Sequence, residues 1–175
     1  MASINKADIL KSVDYAKKNQ LFNKLNNIYD NLPKGECTGC GSCCMESVGI
    51  NLIEFLNIYN YLQDKDELRK KSLGRIMDYY FMEFMKKNCC PFKDENNRCE
   101  IYEVRPLNCR LFGHWKKEDY NKNLNDITEK NKQYKNIMKG KYGFDISDEV
   151  VNYKIKYCED FIPENRYLSK SERLS

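Results

Sequence analysis

The sequence predicts a mainly α fold: a small helical domain wrapped around irregular cysteine-rich loops, with at most one short β-hairpin. Three observations predict it. Apolar residues recur at helical spacing over four stretches, 4–32, 52–63, 66–88 and 117–139. The nine cysteines fall in the connections between those stretches. One stretch, CPFKDENNRCEIY, sets the turn residues Asp94 to Asn97 between two short apolar ends, as a hairpin would.

The first stretch carries Leu21, Leu25, Ile28 and Leu32 on one helical face, with a break at Asn19-Gln20 and a stop at Pro33-Lys34-Gly35. Asn51 followed three residues later by Glu54 has the form of a capping box, so residues 52–63 read as a buried helix. The 66–88 helix places Leu68, Ile76, Tyr80 and Phe84 at apolar positions, uses Met77, Met82 and Met85 as gap-filling core, and ends at Cys89-Cys90-Pro91. The 117–139 helix carries Tyr120, Leu124, Ile127, Tyr134 and Met138, with Gly140 as its stop. Asp148 to Tyr157 reads as helical, and the tail after Leu168 as polar and loose. The length suits one domain, 1–175, divided into an N-terminal helical segment (1–34), a cysteine-cluster region (35–160) and a polar tail (161–175).

The formal net charge is +4, and acidic and basic residues alternate along most of the chain. The one run of lysines without an acid, Lys130 to Lys141, puts Lys132, Lys135 and Lys139 opposite Tyr134 and Ile137, the wet side of an amphipathic helix. That pattern argues against nucleic acid, which needs a concentrated basic stripe. No stretch approaches the ~20 apolar residues of a membrane span. The start, MASINKADIL, lacks the basic end and apolar block of a signal peptide. A cytoplasmic location is therefore expected, where thiols stay reduced and nine cysteines point to metal.

The densest cysteine stretch is CTGCGSCC, Cys37 to Cys44. Thiolates are soft ligands that suit zinc and iron–sulfur clusters. A C-x-x-C-x-x-C run can give three sulfurs to one cubane and take the fourth from afar. Gly39 and Gly41 permit the backbone angles of such a tight wrap. Cys44 follows Cys43 directly, and in an extended backbone adjacent side chains point opposite ways, so the pair is expected to serve different centres, or one of the two to support the site or act as a redox thiol without ligating. The remaining cysteines, at 89, 90, 99, 109 and 158, are available to complete one or two sites.

CTGCGSCC, then CPF, then CEIYEVRPLNCRLF, then a late cysteine, together resemble the YkgJ-like CxxCxxCC cysteine-cluster family of zinc- or iron-chelating domains. The resemblance runs from Cys37 to Cys158, and its most specific part is the C-x-I-Y-x-x-R-P-x-x-C-R block. It implies eight metal-ligating residues, Cys37, Cys40, Cys43, Cys44, Cys90, Cys99, Cys109 and Cys158, with Cys89 as the extra thiol. The chain departs from the family pattern at Gly113, where a proline is frequent, and at Glu159-Asp160, where a glycine commonly follows the last cysteine. Related cysteine clusters occur in flagellin lysine methylases, which implies a protein-modifying role.

Arg105 and Arg110 flank Cys109 as cofactor-binding candidates, able to offset the charge of a thiolate cluster and donate to its sulfurs. The competing reading is a surface salt bridge with Glu100 or Glu103. His114, the one histidine, is a possible ligand or proton donor, but with eight thiols available it reads better as a packed or exposed side chain. A single histidine argues against a Ser-His-Asp hydrolase. Ser47 stands where a radical S-adenosylmethionine loop starting at Cys40 would need its third cysteine.

The expected function is a metal-binding protein with one or two thiolate-ligated centres. Iron–sulfur clusters of the 4Fe-4S type come first, because the cysteine loop is compact and histidine nearly absent. They would serve electron transfer or metal-assisted modification of a peptide or small substrate. The alternative is a non-catalytic zinc module whose sites stabilise the fold for protein–protein interaction. No catalytic residue is assigned, and whether the chain is an enzyme stays open. A protein or peptide partner is expected, and neither a membrane nor nucleic acid.

Overall fold

A computed structural model describes residues 5–174. Residues 1–4 and Ser175, the outer ends of the expected 1–34 segment and 161–175 tail, lie outside the described residues. The chain is mainly α, as expected, with eight α-helices and one two-stranded antiparallel sheet among the described residues.

The N-terminal stretch forms α1 (Lys6–Lys18) and α2 (Leu21–Asp30), separated at Gln20, whose left-handed φ of 54° breaks the helix where expected. The buried residues of α2 are Leu25 and Tyr29, while Ile28 faces solvent. The apolar face is thus rotated from the expected one, because the Tyr29 hydroxyl reaches inward to a carboxylate of the next helix. That helix, α3 (Leu52–Gln63), starts with the expected capping box: Asn51 Oδ1 accepts from Glu54 N at 3.0 Å, and Glu54 Oε2 from Asn51 N at 3.1 Å.

α4 (Asp66–Met82) ends six residues before its expected terminus. The chain turns there, with Met85 N and Lys86 N both donating to Met82 O. The turn lets Cys90 N donate to Cys44 O at 2.6 Å, a bond a straight helix through residue 88 would forbid. Met77, Met82 and Met85 are not core; they lie exposed with Tyr80 and Phe81. The expected hairpin is reduced to one bridge, Lys93 with Cys99, closed by an Asp94 turn.

α5 (Leu107–Leu111) was not legible as a helix and contains Cys109. Cys43 and Cys44 also sit within an element, the 3-10 turn Ser42–Met45, so the expectation that all cysteines lie between elements fails for these three. α6 (Lys117–Tyr142) runs through Gly140 and stops at Gly143, which takes the left-handed φ of 68° that a helix stop requires. α7 (Asp148–Asn152) is half the expected length. Tyr153 turns extended (φ −62°, ψ 125°), which carries the chain back toward Cys158 and the core.

The segment expected as a polar tail holds two core residues, Phe161 and Leu168. Its Ile162–Pro163 strand, β2, pairs antiparallel with β1 (Gly35–Glu36), the strand that leads into Cys37. Further on, Leu168 is held in backbone bonds with His114 O and Lys116 N, and α8 (Lys170–Leu174) starts with Lys170 N on Asp119. The principal core joins Phe112, Trp115, Tyr120, Cys158 and Phe161.

Candidate metal centre

Local conformation shapes each cysteine segment before any long-range contact does. Gly39 and Gly41 take left-handed φ values of 72° and 74°, as the cysteine loop required. Gly41 O then accepts from Cys44 N at 3.0 Å, which winds Ser42–Met45 into its 3-10 turn. In such a turn adjacent residues are roughly a third of a revolution apart. The two thiols therefore do not point opposite ways, and Cys44 is the leading cause that raises the Cys43 thiol. The extended backbone expected for this pair is replaced by the 3-10 turn.

The sheet joins the two ends of the site. β1 pairs with β2, and Glu164 N donates to Lys34 O at 2.9 Å, so the Cys37 loop lies against the Cys158 segment. The Cys158 thiol lies close enough to Cys40 for the charge of Cys40 to raise it. Arg75 of α4 fastens the opposite side: its guanidinium pairs with Glu100 at 2.8 Å and donates to Pro91 O and Lys93 O, which fixes the segment between Cys90 and Cys99. Cys109 is placed by α5, whose first N–H, Leu107 N, donates to the buried Glu54 carboxylate at 2.7 Å. Neither Arg75 nor this use of Glu54 carries a local signal, since their partners lie more than fifteen residues away.

All eight thiols implied by the resemblance line one cavity of about 680 Å³. Cys89 does not line it and is exposed. Cys158 is buried, Cys37 and Cys40 are exposed at the rim, and the other five are half-buried. Among the described residues no three ligand side chains converge as around a bound ion; the thiols are distributed around the cavity wall.

Electrostatics sort them further. Burial pushes Cys158 up to about 11, helped by the charges of Cys40 and Cys37. Burial pushes Cys109 up to about 12, and its charged neighbours are Cys43, Cys90 and Cys99. Cys90 rises to about 11 by burial, with Cys99 the nearest charge of note, and Cys99 rises for the same reason. Cys43 rises because Cys44 lies beside it and because it is buried, and its charge is felt by Cys90, Cys99, Cys109 and Cys158. Cys158 thus feels Cys40 and Cys37 most strongly, while Cys109 feels Cys43, Cys90 and Cys99. Cys40 alone is shifted down, because the Ser42 hydroxyl, 3.3 Å away, and the Ser42 N–H donate to its thiolate. A metal taken up here would displace the protons of the raised thiols.

Arg105 lines the cavity, and its buried Nε has no hydrogen-bond partner among the described residues. Its guanidinium stacks 3.9 Å over the Tyr102 ring, and its charge lowers Cys43, Cys99 and Cys109 against their burial. An anionic thiolate-bound group fits this cavity: the donor set is all sulfur, and an unspent N–H waits among the sulfurs. Arg110 also lines the cavity, but its Nε and Nη2 donate to Arg105 O and Glu103 O, and it stacks 4.0 Å over Tyr29. Neither arginine forms the salt bridge considered for it; Glu100 is taken by Arg75 and Lys71. His114 is fully buried, edge-on to Phe161 at 4.6 Å, and does not line the cavity.

A mainly helical chain thus lines one loop-walled cavity with eight thiols, a donor set that suits a soft metal. The profile of the CxxCxxCC family, described as "Putative zinc- or iron-chelating domain", matches residues 36–138, more than half of the chain, and the chain belongs to that family. The match ends before Cys158, which the fold brings back to the matched segment through β2. Metal binding is thereby supported for the protein as a family property. No solved structure matches the chain at a significant level. No helix among the described residues is long and apolar enough to cross a membrane.

Proposed function

We propose that this protein carries two four-thiolate iron–sulfur centres and works in electron transfer with a protein or peptide partner, in the reducing cytoplasm where nine free thiols persist. The observation that carries the reading is that eight thiols line one cavity with the unpartnered Arg105 Nε: eight thiols suffice for two fours, and one of the Cys43–Cys44 pair would complete each. Eight thiolates fill two four-coordinate centres and leave no open position, which favours electron transfer over chemistry on a bound substrate. Arg105 supplies a guanidinium N–H toward sulfur, and Ser42 a hydroxyl at Cys40, the kind of hydrogen bond that tunes a cluster potential. The exposed Cys37–Cys40 rim gives electrons a short exit to a docked partner.

Two zinc ions on the same thiols would serve as staples instead, and the dispersal of ligands over four chain segments suits that role too. Purification without oxygen separates the two. Iron and sulfide in near-equal amounts with broad visible absorption are expected; a colourless protein holding zinc and no sulfide would sink the iron–sulfur reading. The number of centres is tested by substitution. Cys109→Ser and Cys158→Ser are each expected to lower bound metal to about half, and the double variant to nearly none. Loss of all metal from either single variant would show one shared centre.

A further inference from the structure

Beside the cysteine cavity lies a second one of about 240 Å³; Tyr79 lines both. It forms where the chain turns after α4, and α6 and α7 close it. One wall is apolar, built from Phe84 and Tyr134, with ring centroids 6.4 Å apart, and from Val150. The other is polar: Ser47 and Tyr79 bond each other there at 3.0 Å, which leaves Lys87, Asn88 and Glu83. The Lys87 ammonium makes no ion pair among the described residues and lies 5.7 Å over the face of Tyr153. Burial pulls its pKa below the usual lysine value, against the opposing charges of Glu83 and Glu46. Asn88 Nδ2 is buried and has no hydrogen-bond partner among the described residues. Glu83 lines the same space, forms no ion pair among the described residues, and its charge is felt by Lys87.

A half-buried cation, an unsatisfied amide donor and an opposed carboxylate around an aromatic wall describe a zwitterion with an apolar body. The volume falls below the ~300–1,000 Å³ of pockets for drug-sized ligands, so the ligand is small. We propose that this cavity binds a free α-amino acid with an apolar side chain: carboxylate on Lys87 and Asn88, ammonium toward Glu83, side chain against Phe84, Tyr134 and Val150. The inference stands whatever the thiols hold.

Calorimetric titration of the full chain, as purified with its metal, tests it with L-leucine and L-phenylalanine. Leucinamide, which lacks the carboxylate, and isocaproate, which lacks the ammonium, are the controls. At least one amino acid is expected to bind at millimolar affinity or tighter. Both controls, and Lys87→Met with the amino acid, should bind about tenfold weaker or worse. Val150→Trp fills the cavity from its edge and should abolish binding with circular dichroism and metal content unchanged. If Lys87→Met fails to fold, Val150→Trp and the two controls still decide. No binding of either amino acid, equal binding of either control, or undiminished binding to a folded Val150→Trp overturns the proposal.

Discussion

Replacing Glu54 with alanine is expected to lower stability by about 4 kcal/mol and to loosen Cys109. The carboxylate is 4% exposed and joins three parts of the molecule. Oε1 accepts from the Tyr29 hydroxyl of α2 at 2.9 Å and from Leu107 N at the start of α5 at 2.7 Å; Oε2 closes the cap of α3. Alanine would strand all of these donors, and a buried donor without an acceptor costs about 1–3 kcal/mol. Tyr29→Phe removes one donor and leaves the other bonds in place, so about 1 kcal/mol is expected there. Urea unfolding midpoints with unchanged slope measure both losses, and metal content reports on Cys109. If the two variants lose equal stability, the carboxylate is not the junction described.

Gly113→Ala is expected to cost about 3 kcal/mol through overpacking. A Cβ on Gly113 would sit 2.3 Å from Phe161 Cγ and 2.4 Å from Cδ2. These atoms are close to the Phe161 backbone, so the ring cannot swing aside without shifting the chain three residues from Cys158. Gly35 meets the far end of the same ring, with Cζ 2.4 Å from a Cβ placed there. Phe161 is thus seated between two glycines, with His114 edge-on to it. The glycine that departs from the family pattern at 113 has this steric reason. Phe161→Leu should be less harmful in the Gly113→Ala background than in the wild type, a coupling that a double-mutant cycle reads in thermal midpoints. Additive effects would show that the ring is not what excludes the methyl group.

Helices with strong periodicity or a local cap were legible: α3 starts at the Asn51–Glu54 box, and α1 and α2 part at Gln20. The ends of α4 and α7 were not. Nothing near Met82 or Asn152 stops a helix by composition; the chain leaves the helix there because Cys90 and Cys158 are held elsewhere. β1 and β2, two residues each and far apart in sequence, have no period to read. The Cys43–Cys44 pair was misread in geometry, because a 3-10 turn replaced the extended backbone that would have turned the thiols apart.

What the sequence by itself determined is the chemistry: nine thiols and one histidine, glycine spacers that allow the loop to wrap, and motifs that implied the eight cysteines now found around one cavity. Donor type and local backbone freedom are properties of the residues and survive in any fold. Only the tertiary structure decided the grouping. It carried Cys158 back to Cys37 through a two-residue sheet, hung Cys109 from Glu54, left Cys89 outside, and set Arg105 among the sulfurs while Arg110 was spent on carbonyls. Those assignments depend on contacts between segments tens of residues apart, and such contacts form because buried polar groups must find partners and rings must find space.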